Sequence, residues 1–205
     1  PMAATRLSIF PLSGVILYPG LRLPLHIFEP RYRAMVSDAL VRDRRIAMIQ
    51  PQGPGESAPL FSIGCVGRIE DVEALEDGRF NIVLDGEHRF RVLRELNVTT
   101  PFRQVEAELL VEPEDEALSS IERAGFEHAA REFADMQGYS VDWDSVARLD
   151  DVSLINGVSQ IAPFDAAAKQ ALLEAPDLAS RCELLVQLMQ FFGRRPGDDD
   201  RVTLQ

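Results

Sequence analysis

The sequence predicts an α+β protein, with a β-barrel and one inserted helix over residues 1–112 and an α-helical bundle over 113–193. Apolar residues alternate in short runs before residue 112, whereas after it they recur every three or four positions. The charge divides at the same place. The first part carries 13 arginines against 15 acidic residues, and the remainder carries 8 basic against 18 acidic residues. We therefore expect two subdomains, followed by a polar, frayed tail over 194–205.

The inserted helix and two early strands are predicted within residues 10–40. A β-prone run at 15–18 and an alternating run at 23–27 predict strands, and Pro24 places the second at a sheet edge or bulge. Pro30 marks a helix start. The apolar stripe that this helix turns to the core is formed by Tyr32, Met35, Val36, Ala39 and Leu40.

The clearest β signal is a three-stranded meander over residues 61–95. Its turns are predicted at the Asp-Gly pairs 77–78 and 85–86, since Asp-Gly between alternating runs is typical of a hairpin. Gly64 and Gly67 indicate a bulge or a close backbone approach in the first of these strands.

Three further segments complete the β unit. Residues 45–49 predict a short strand, the Pro- and Gly-rich segment 51–59 predicts a loop, and residues 103–111 alternate as a last strand. We expect about six strands that close, or nearly close, into a barrel, because open sheet edges promote aggregation.

Four helices are predicted after residue 113. The first spans about residues 118–136 and ends at Gly138, and the second contains the stripe 152–161 and ends before Pro163. Asp165 and Asp177 are suitable N-caps for the third and fourth helices. The connector between the first two helices holds the single tryptophan, Trp143, which we expect to be packed rather than functional.

Three segments carry a resemblance to a known family. The segments are FPLSGVILYPGLRLPLHIFEPRYRAMV (10–36), IGCVGRIEDVEALEDGRFNIVLDGEHRFRV (63–92) and AAAKQALLEAPDLASRCELLVQLM (166–189). The chain resembles the LON domain, the substrate-recognition domain of Lon proteases, over essentially its full length. The resemblance implies a PUA-like barrel, a helical second half and a role in binding polypeptides.

Composition and patterning narrow the class of protein. The chain is 46% hydrophobic and 26% charged, as is ordinary for a soluble globular protein, and no run approaches the length of a membrane span. We expect a cytoplasmic protein without a membrane segment. Cys65 and Cys182 lack metal or disulfide spacing, so both are expected to be buried free thiols.

Catalytic, metal and cofactor motifs are not visible. The chain contains no GxxxxGK[ST] phosphate-binding loop, and its single lysine, Lys169, has no neighbouring serine with which to form a dyad. The histidines His26, His88 and His128 are scattered, without metal-ligand spacing. We therefore predict no enzyme, no catalytic residues, no metal site and no cofactor, and assign the histidines structural or surface roles.

The preferred hypothesis is a non-catalytic module that binds unfolded or partner polypeptides. Four apolar residues at or beside predicted loops are candidates for its binding surface. They are Tyr18, Leu21, Phe61 and Phe102. Each is also consistent with an ordinary structural role as a core or rim residue.

Two alternatives remain open at the level of sequence. A PUA-like barrel suggests RNA binding, and Arg89 and Arg91 share one strand face, but a net charge of −12 opposes phosphate binding, so nucleic acid is not the expected partner. A small hydrolase has only scattered His, Ser and carboxylate residues in its favour. Homo-oligomerisation through the helical half is also left open.

Overall fold

The computed structural model describes residues 3–194, which hold six strands and six helices. The strands are β1 (Thr5–Pro11), β2 (Arg22–Ile27), β3 (Arg45–Ile49), β4 (Ile63–Ala74), β5 (Phe80–Glu95) and β6 (Gln104–Leu109). The helices are α1 (Pro30–Leu40), α2 (Ser120–Gln137), α3 (Trp143–Arg148), α4 (Asp151–Ile161), α5 (Ala166–Glu174) and α6 (Leu178–Phe192).

The described chain forms two compact units. The first contains the residues up to Glu112 together with Asp165–Leu173, and the second contains Pro113–Phe164 and the residues from Glu174 onward. The first unit therefore includes most of α5, which the sequence pattern assigns to the helical half. The predicted tail lies outside the described residues from position 195.

All six strands belong to one mixed sheet in the first unit. Their order is β2-β5-β4-β3-β1-β6, and the second half of β5 also pairs with β6. The pairing of β1 with β3 is parallel, and every other pairing is antiparallel. The pairings thus return on themselves through β5, β4, β3, β1 and β6. Strand β2 continues the sheet beyond β5, which agrees with the edge position predicted from Pro24.

The first strand lies earlier than the sequence pattern suggests. Residues 15–18 are not a strand, whereas β1 at Thr5–Pro11 pairs with both β3 and β6. Ile16, Leu17 and Tyr18 are buried even so. Their β-branched and aromatic character therefore reflects packing of an irregular segment, which β propensity alone does not distinguish from a strand.

The predicted meander consists of two long strands, β4 and β5. Asp77-Gly78 forms the expected turn, with Gly78 at φ 86°, but Gly86 lies inside β5. Its N–H donates to the Leu21 carbonyl at 2.8 Å, and its own carbonyl accepts from Gly20 at 2.9 Å. The glycine is needed there because the backbone of residues 18–21 crosses this point closely.

Helix α1 and the strands enclose the main apolar core of the first unit. Pro30 occupies the first turn, and Tyr32, Met35, Val36 and Ala39 are buried as predicted. The Phe10 ring stacks on Tyr32 with ring centroids 4.2 Å apart. Both cysteines are buried free thiols, and burial raises the pKa of Cys182 to about 11.

Helix α5 is attached to the sheet by buried polar side chains. The Gln50 side-chain amide donates to the Ala166 carbonyl at 2.9 Å, and that of Gln170 donates to the Ile63 carbonyl at 3.1 Å. Arg89 donates to the Leu173 carbonyl at 2.7 Å. Buried amide and guanidinium donors need such partners, so these bonds fix the position of α5.

The helices of the second unit begin and end at the signals that the sequence carries. Ser119 and Glu122 form a reciprocal capping box at α2, and Gly138 ends that helix in the left-handed conformation at φ 74°. Asp177 caps α6 by accepting from the Ser180 N–H at 2.8 Å. The short helix α3, within the predicted connector, buries none of its residues.

Removal of the α2 cap provides a test of this account. We expect Ser119→Ala to lower the free energy of unfolding by about 1 kcal/mol, because the Glu122 N–H loses its acceptor. Ser120→Ala, at the adjacent exposed position, should change it by less than about 0.5 kcal/mol. Urea titration followed by far-UV circular dichroism measures both, and equal effects of the two variants would contradict the cap assignment.

Candidate functional site

The four residues predicted to bind polypeptide occupy different environments in the first unit. Tyr18 and Phe102 are buried in separate apolar clusters, and Leu21 packs against the cluster that contains Tyr18. Phe61 is half-buried, and its N–H donates to the Gln50 carbonyl at 3.0 Å. The structure therefore does not bring these four side chains together on one exposed surface.

A large apolar pocket lies within the second unit, and we call it the helical pocket. Its volume is about 600 Å³. Side chains from α2, α3, α4 and α6 and from the loops between them line it. Prominent among them are Phe126, Phe133, Trp143, Leu154, Ile161 and Met189.

Aromatic contacts position one wall of the helical pocket. The Phe133 ring lies edge-on to Tyr139, with centroids 6.3 Å apart, and edge-on to Phe164 at 6.0 Å. The Arg131 guanidinium lies over the Trp143 ring at 4.7 Å from its centroid. Such edge-on and cation–π contacts favour fixed ring orientations, so this wall is a preformed surface.

Helix α3 places Trp143 at the pocket although it buries no residue of its own. Asp142 caps this short helix by accepting from the Ser145 hydroxyl at 2.7 Å and from the Ser145 N–H at 3.3 Å. Arg123 ties the end of α3 to α2, because it donates to the carbonyls of Val146 and Leu149 at 3.2 and 2.9 Å. Trp143 is half-buried and lines the helical pocket.

Apolar side chains also remain exposed around the pocket. Ile161 is 79% exposed, Tyr139 is 49% exposed and Leu149 is 44% exposed, and all three line the pocket. Isolated exposed apolar residues are common, but a group that borders one apolar cavity is typical of an interaction surface.

Carboxylates adjoin this apolar lining. Asp142 and Asp144 flank Trp143, and Asp150 follows Leu149; all three are exposed. Hydrogen bonds from Ser145 lower the pKa of Asp142, and hydrogen bonds from Ser153 lower the pKa of Asp150. Both carboxylates therefore stay charged at neutral pH.

A second, smaller groove lies in the first unit beside the edge strand β2. Its volume is about 310 Å³, and it is lined by residues 10–12, 24–29, 31 and 32. Phe28 is exposed at its rim, and Arg31 pairs with Glu29 at 3.0 Å. This groove is smaller and more polar in its lining than the helical pocket.

The titratable residues of the described chain make no metal-binding group of three or more. His26 hydrogen-bonds Asn81 at 2.7 Å, His128 lies 3.2 Å from Glu132, and His88 is exposed on β5. All three histidines are therefore exposed, and none of them lines the helical pocket. Over residues 3–194 no helix has both the length and the apolar character of a membrane span.

Comparison with known proteins defines the class of protein to which this chain belongs. The family model of the ATP-dependent protease La (LON) substrate-binding domain matches residues 6–190. The chain belongs to the LON substrate-binding domain family, which confirms the resemblance seen in residues 10–36, 63–92 and 166–189.

Curated relatives include two bacterial Lon proteases. Lon protease 2 of Sorangium cellulosum is 27% identical over 202 residues, covering 91% of this chain and 24% of that protein. Lon protease 2 of Syntrophobacter fumaroxidans is 26% identical over 190 residues, covering 87% of this chain and 23% of that protein. The chain thus spans about a quarter of the length of these relatives.

Two solved structures share the fold. A Lon N-terminal domain protein from Xanthomonas campestris superposes with a TM-score of 0.67 at 22% identity, covering 94% of this chain and 99% of that one. The N-terminal domain of Lon protease from the Mycobacterium avium complex gives 0.67 at 21% identity, covering 91% and 98%. The mixed sheet with accompanying helices is therefore the fold of Lon N-terminal domains.

Proposed function

We propose that this chain is a non-catalytic module that binds polypeptides, and that the helical pocket receives an apolar side chain of the bound segment. The observation that carries the proposal is the pocket itself, an apolar cavity of about 600 Å³ with an exposed apolar rim. Membership of a substrate-binding domain family supports the same function.

The size and chemistry of the pocket suit a side chain of an unfolded or partner polypeptide. Ligand pockets commonly measure several hundred Å³ and are lined mainly by apolar and aromatic groups. Aromatic anchors such as Phe133 and Trp143 offer large contact areas to Leu, Phe or Met side chains. Folded proteins bury such side chains, so the pocket favours segments that are locally unfolded.

The four residues that the sequence suggested for polypeptide binding are not part of the helical pocket. Burial of Tyr18 and Phe102 assigns them first to packing. Leu21 and Phe61 are only half-buried, and their part in polypeptide binding stays a prediction. We further propose that the ring of strand pairings is the PUA-like barrel implied by the family resemblance, and that the protein acts in the cytoplasm.

RNA binding gains little support from the arginines of β5. Arg89 is buried against Glu112 at 2.7 Å, and Arg94 pairs with Glu106 at 2.8 Å, so a phosphate would have to displace a carboxylate at either residue. Of the pair that shares one strand face, Arg91 alone is exposed, and one exposed arginine is a small fraction of the phosphate contacts that nucleic-acid binding needs.

Filling the pocket from within tests the proposal. Gly157 on α4 lines the pocket, and a Cβ added there meets no atom within 4 Å. We expect Gly157→Leu to weaken binding of a labelled short peptide, with a Leu-Phe-Leu centre and Gln and Ser flanks, by at least about tenfold. The reason is that burial of a large apolar side chain stabilises by ~1.5–3 kcal/mol. Peptide anisotropy and Trp143 fluorescence both report binding.

A matched control uses the other open helix glycine. Gly125 is exposed on α2 and lines a separate groove between α2 and α6, outside the helical pocket, and a Cβ there also meets nothing within 4 Å. Gly125→Leu should retain affinity within about twofold. Unchanged binding by folded Gly157→Leu would place the polypeptide elsewhere, and absence of binding by the unsubstituted protein would refute the function.

A further inference from the structure

The helical pocket lies in an acidic part of the chain, although its lining is apolar. Among described residues, the second unit holds 14 acidic side chains against five arginines. Such an excess creates a negative potential that attracts cations and repels anionic segments. The first unit holds 16 acidic side chains against 14 basic ones, so the negative potential is a property of the unit that holds the pocket.

Four aspartates are next in sequence to residues that line the helical pocket, and we call them the rim carboxylates. Asp142 and Asp144 flank Trp143, Asp150 follows Leu149 and Asp135 follows Ala134. Each of these residues therefore has its Cα about 3.8 Å from the Cα of a lining residue. All four are exposed. Charges this near the pocket act on a bound segment, because exposed charges interact over about 8–10 Å at moderate salt.

Nearby arginines do not cancel this charge. Arg123 is matched by Glu127 at 2.9 Å and Asp151 at 2.7 Å. Arg131 lies over the Trp143 ring. Arg148 is the other arginine close in sequence to the lining, in the last turn of α3. The four rim carboxylates thus outnumber these two remaining arginines.

We infer that the segment recognised by the helical pocket is an apolar residue or pair flanked by lysine or arginine, within an unfolded polypeptide. This inference rests on the proposed function and adds the charge of the substrate. Apolar burial provides the affinity, and the rim carboxylates select basic over acidic flanks.

Three short peptides with the same Leu-Phe-Leu centre test the inference. Their flanks are Lys and Ser, Gln and Ser, or Glu and Ser. At low salt we expect the Lys peptide to bind about fivefold more tightly than the Gln peptide and the Glu peptide more weakly than both, as a few exposed charge pairs allow. High salt should bring the three affinities together, because it screens exposed charges.

Substitution of the rim carboxylates assigns the preference to the pocket. Asp142→Asn with Asp144→Asn should bring the affinity for the Lys peptide close to the affinity for the Gln peptide. Asparagine keeps the N-cap of α3, so the fold should persist. The control, Glu70→Gln with Glu73→Gln, makes the same charge change at exposed positions of β4 and should keep the preference.

The outcomes separate the two proposals. Equal binding of all three peptides at low salt would overturn the charge preference and leave polypeptide binding intact. Failure of every peptide to bind would overturn both. Lys-peptide binding that persists in Gly157→Leu, or a preference that survives in the Asp142→Asn, Asp144→Asn variant, would show attraction to another surface and would also overturn the inference.

Discussion

Gly86→Ala is expected to destabilise the protein by about 3 kcal/mol or more, or to prevent folding. A Cβ at this position would lie 2.0 Å from the Tyr18 carbonyl oxygen and 2.8 Å from its carbonyl carbon. Both are backbone atoms, so no side-chain rotation relieves the collision. The hydrogen bonds of Gly86 with Gly20 and Leu21 hold the two backbones at this separation.

Urea titration monitored by circular dichroism measures the effect of Gly86→Ala, with Gly125→Ala as the matched control. The control places the same methyl group in open space on a helix, where it should stabilise by up to about 1 kcal/mol. An insoluble Gly86→Ala product alongside soluble Gly125→Ala agrees with the prediction. A folded Gly86→Ala protein whose free energy of unfolding lies within about 1 kcal/mol of that of the unsubstituted protein would contradict the close approach of the two backbones.

The second large effect is expected from Arg89→Met, which should cost about 3 kcal/mol. The Arg89 side chain is only 7% exposed, and it donates to Glu112 at 2.7 Å and to the Leu173 carbonyl at 2.7 Å. Methionine keeps the apolar stem but removes every donor. A buried carbonyl and a partly buried carboxylate are then left without this partner, which is costly in a poorly solvated position.

Arg94→Met is the matched control, because it removes another arginine–glutamate pair of β5. Arg94 bonds Glu106 on strand β6, but the Arg94 side chain is 67% exposed, so loss of this pair should cost less than about 1 kcal/mol. We also expect Glu112→Leu to recover part of the loss when combined with Arg89→Met, because the unpaired charge is removed. Equal destabilisation by Arg89→Met and Arg94→Met would contradict the role of burial.

Much of the fold was predictable from local signals. Pro30, Gly138, Asp165 and Asp177 locate helix ends through backbone geometry and capping, which depend on a few neighbouring residues. The edge position of Pro24 follows from its missing N–H. These predictions were correct because the physical cause of each feature lies within a few residues in the chain.

The errors have long-range causes. Asp85-Gly86 has the composition of a turn, but a glycine is required there because the backbone of residues 18–21, far away in the sequence, packs against it. Likewise, the β-branched and aromatic residues at 15–18 predict a strand, whereas the strand that pairs with β3 and β6 is β1. Contacts of this kind depend on tertiary structure, which single-sequence patterns do not contain.

The candidate site was the least predictable feature. Apolar residues next to turns suggested Tyr18 and Phe102, but a turn does not reveal whether its neighbours point inward. The helical pocket includes Trp143 and Ile161, which looked like ordinary packing residues. One signal was available, since a lone tryptophan between two aspartates on a short connector is poorly explained by core packing alone.

The path of the chain has a consequence for how the protein is made. Residues 1–112 contain every strand, but Gln50, Ile63 and Arg89 form their hydrogen bonds with α5, which follows the second unit's first 52 residues. During synthesis these hydrogen bonds to α5 therefore form only after residue 173 has left the ribosome. A fragment that ends at residue 112 would lack them, although Gln50 would keep its bond from Gly14 and Arg89 its bond to Glu112. Folding of the first unit is thus completed by a segment made after most of the second unit's helices.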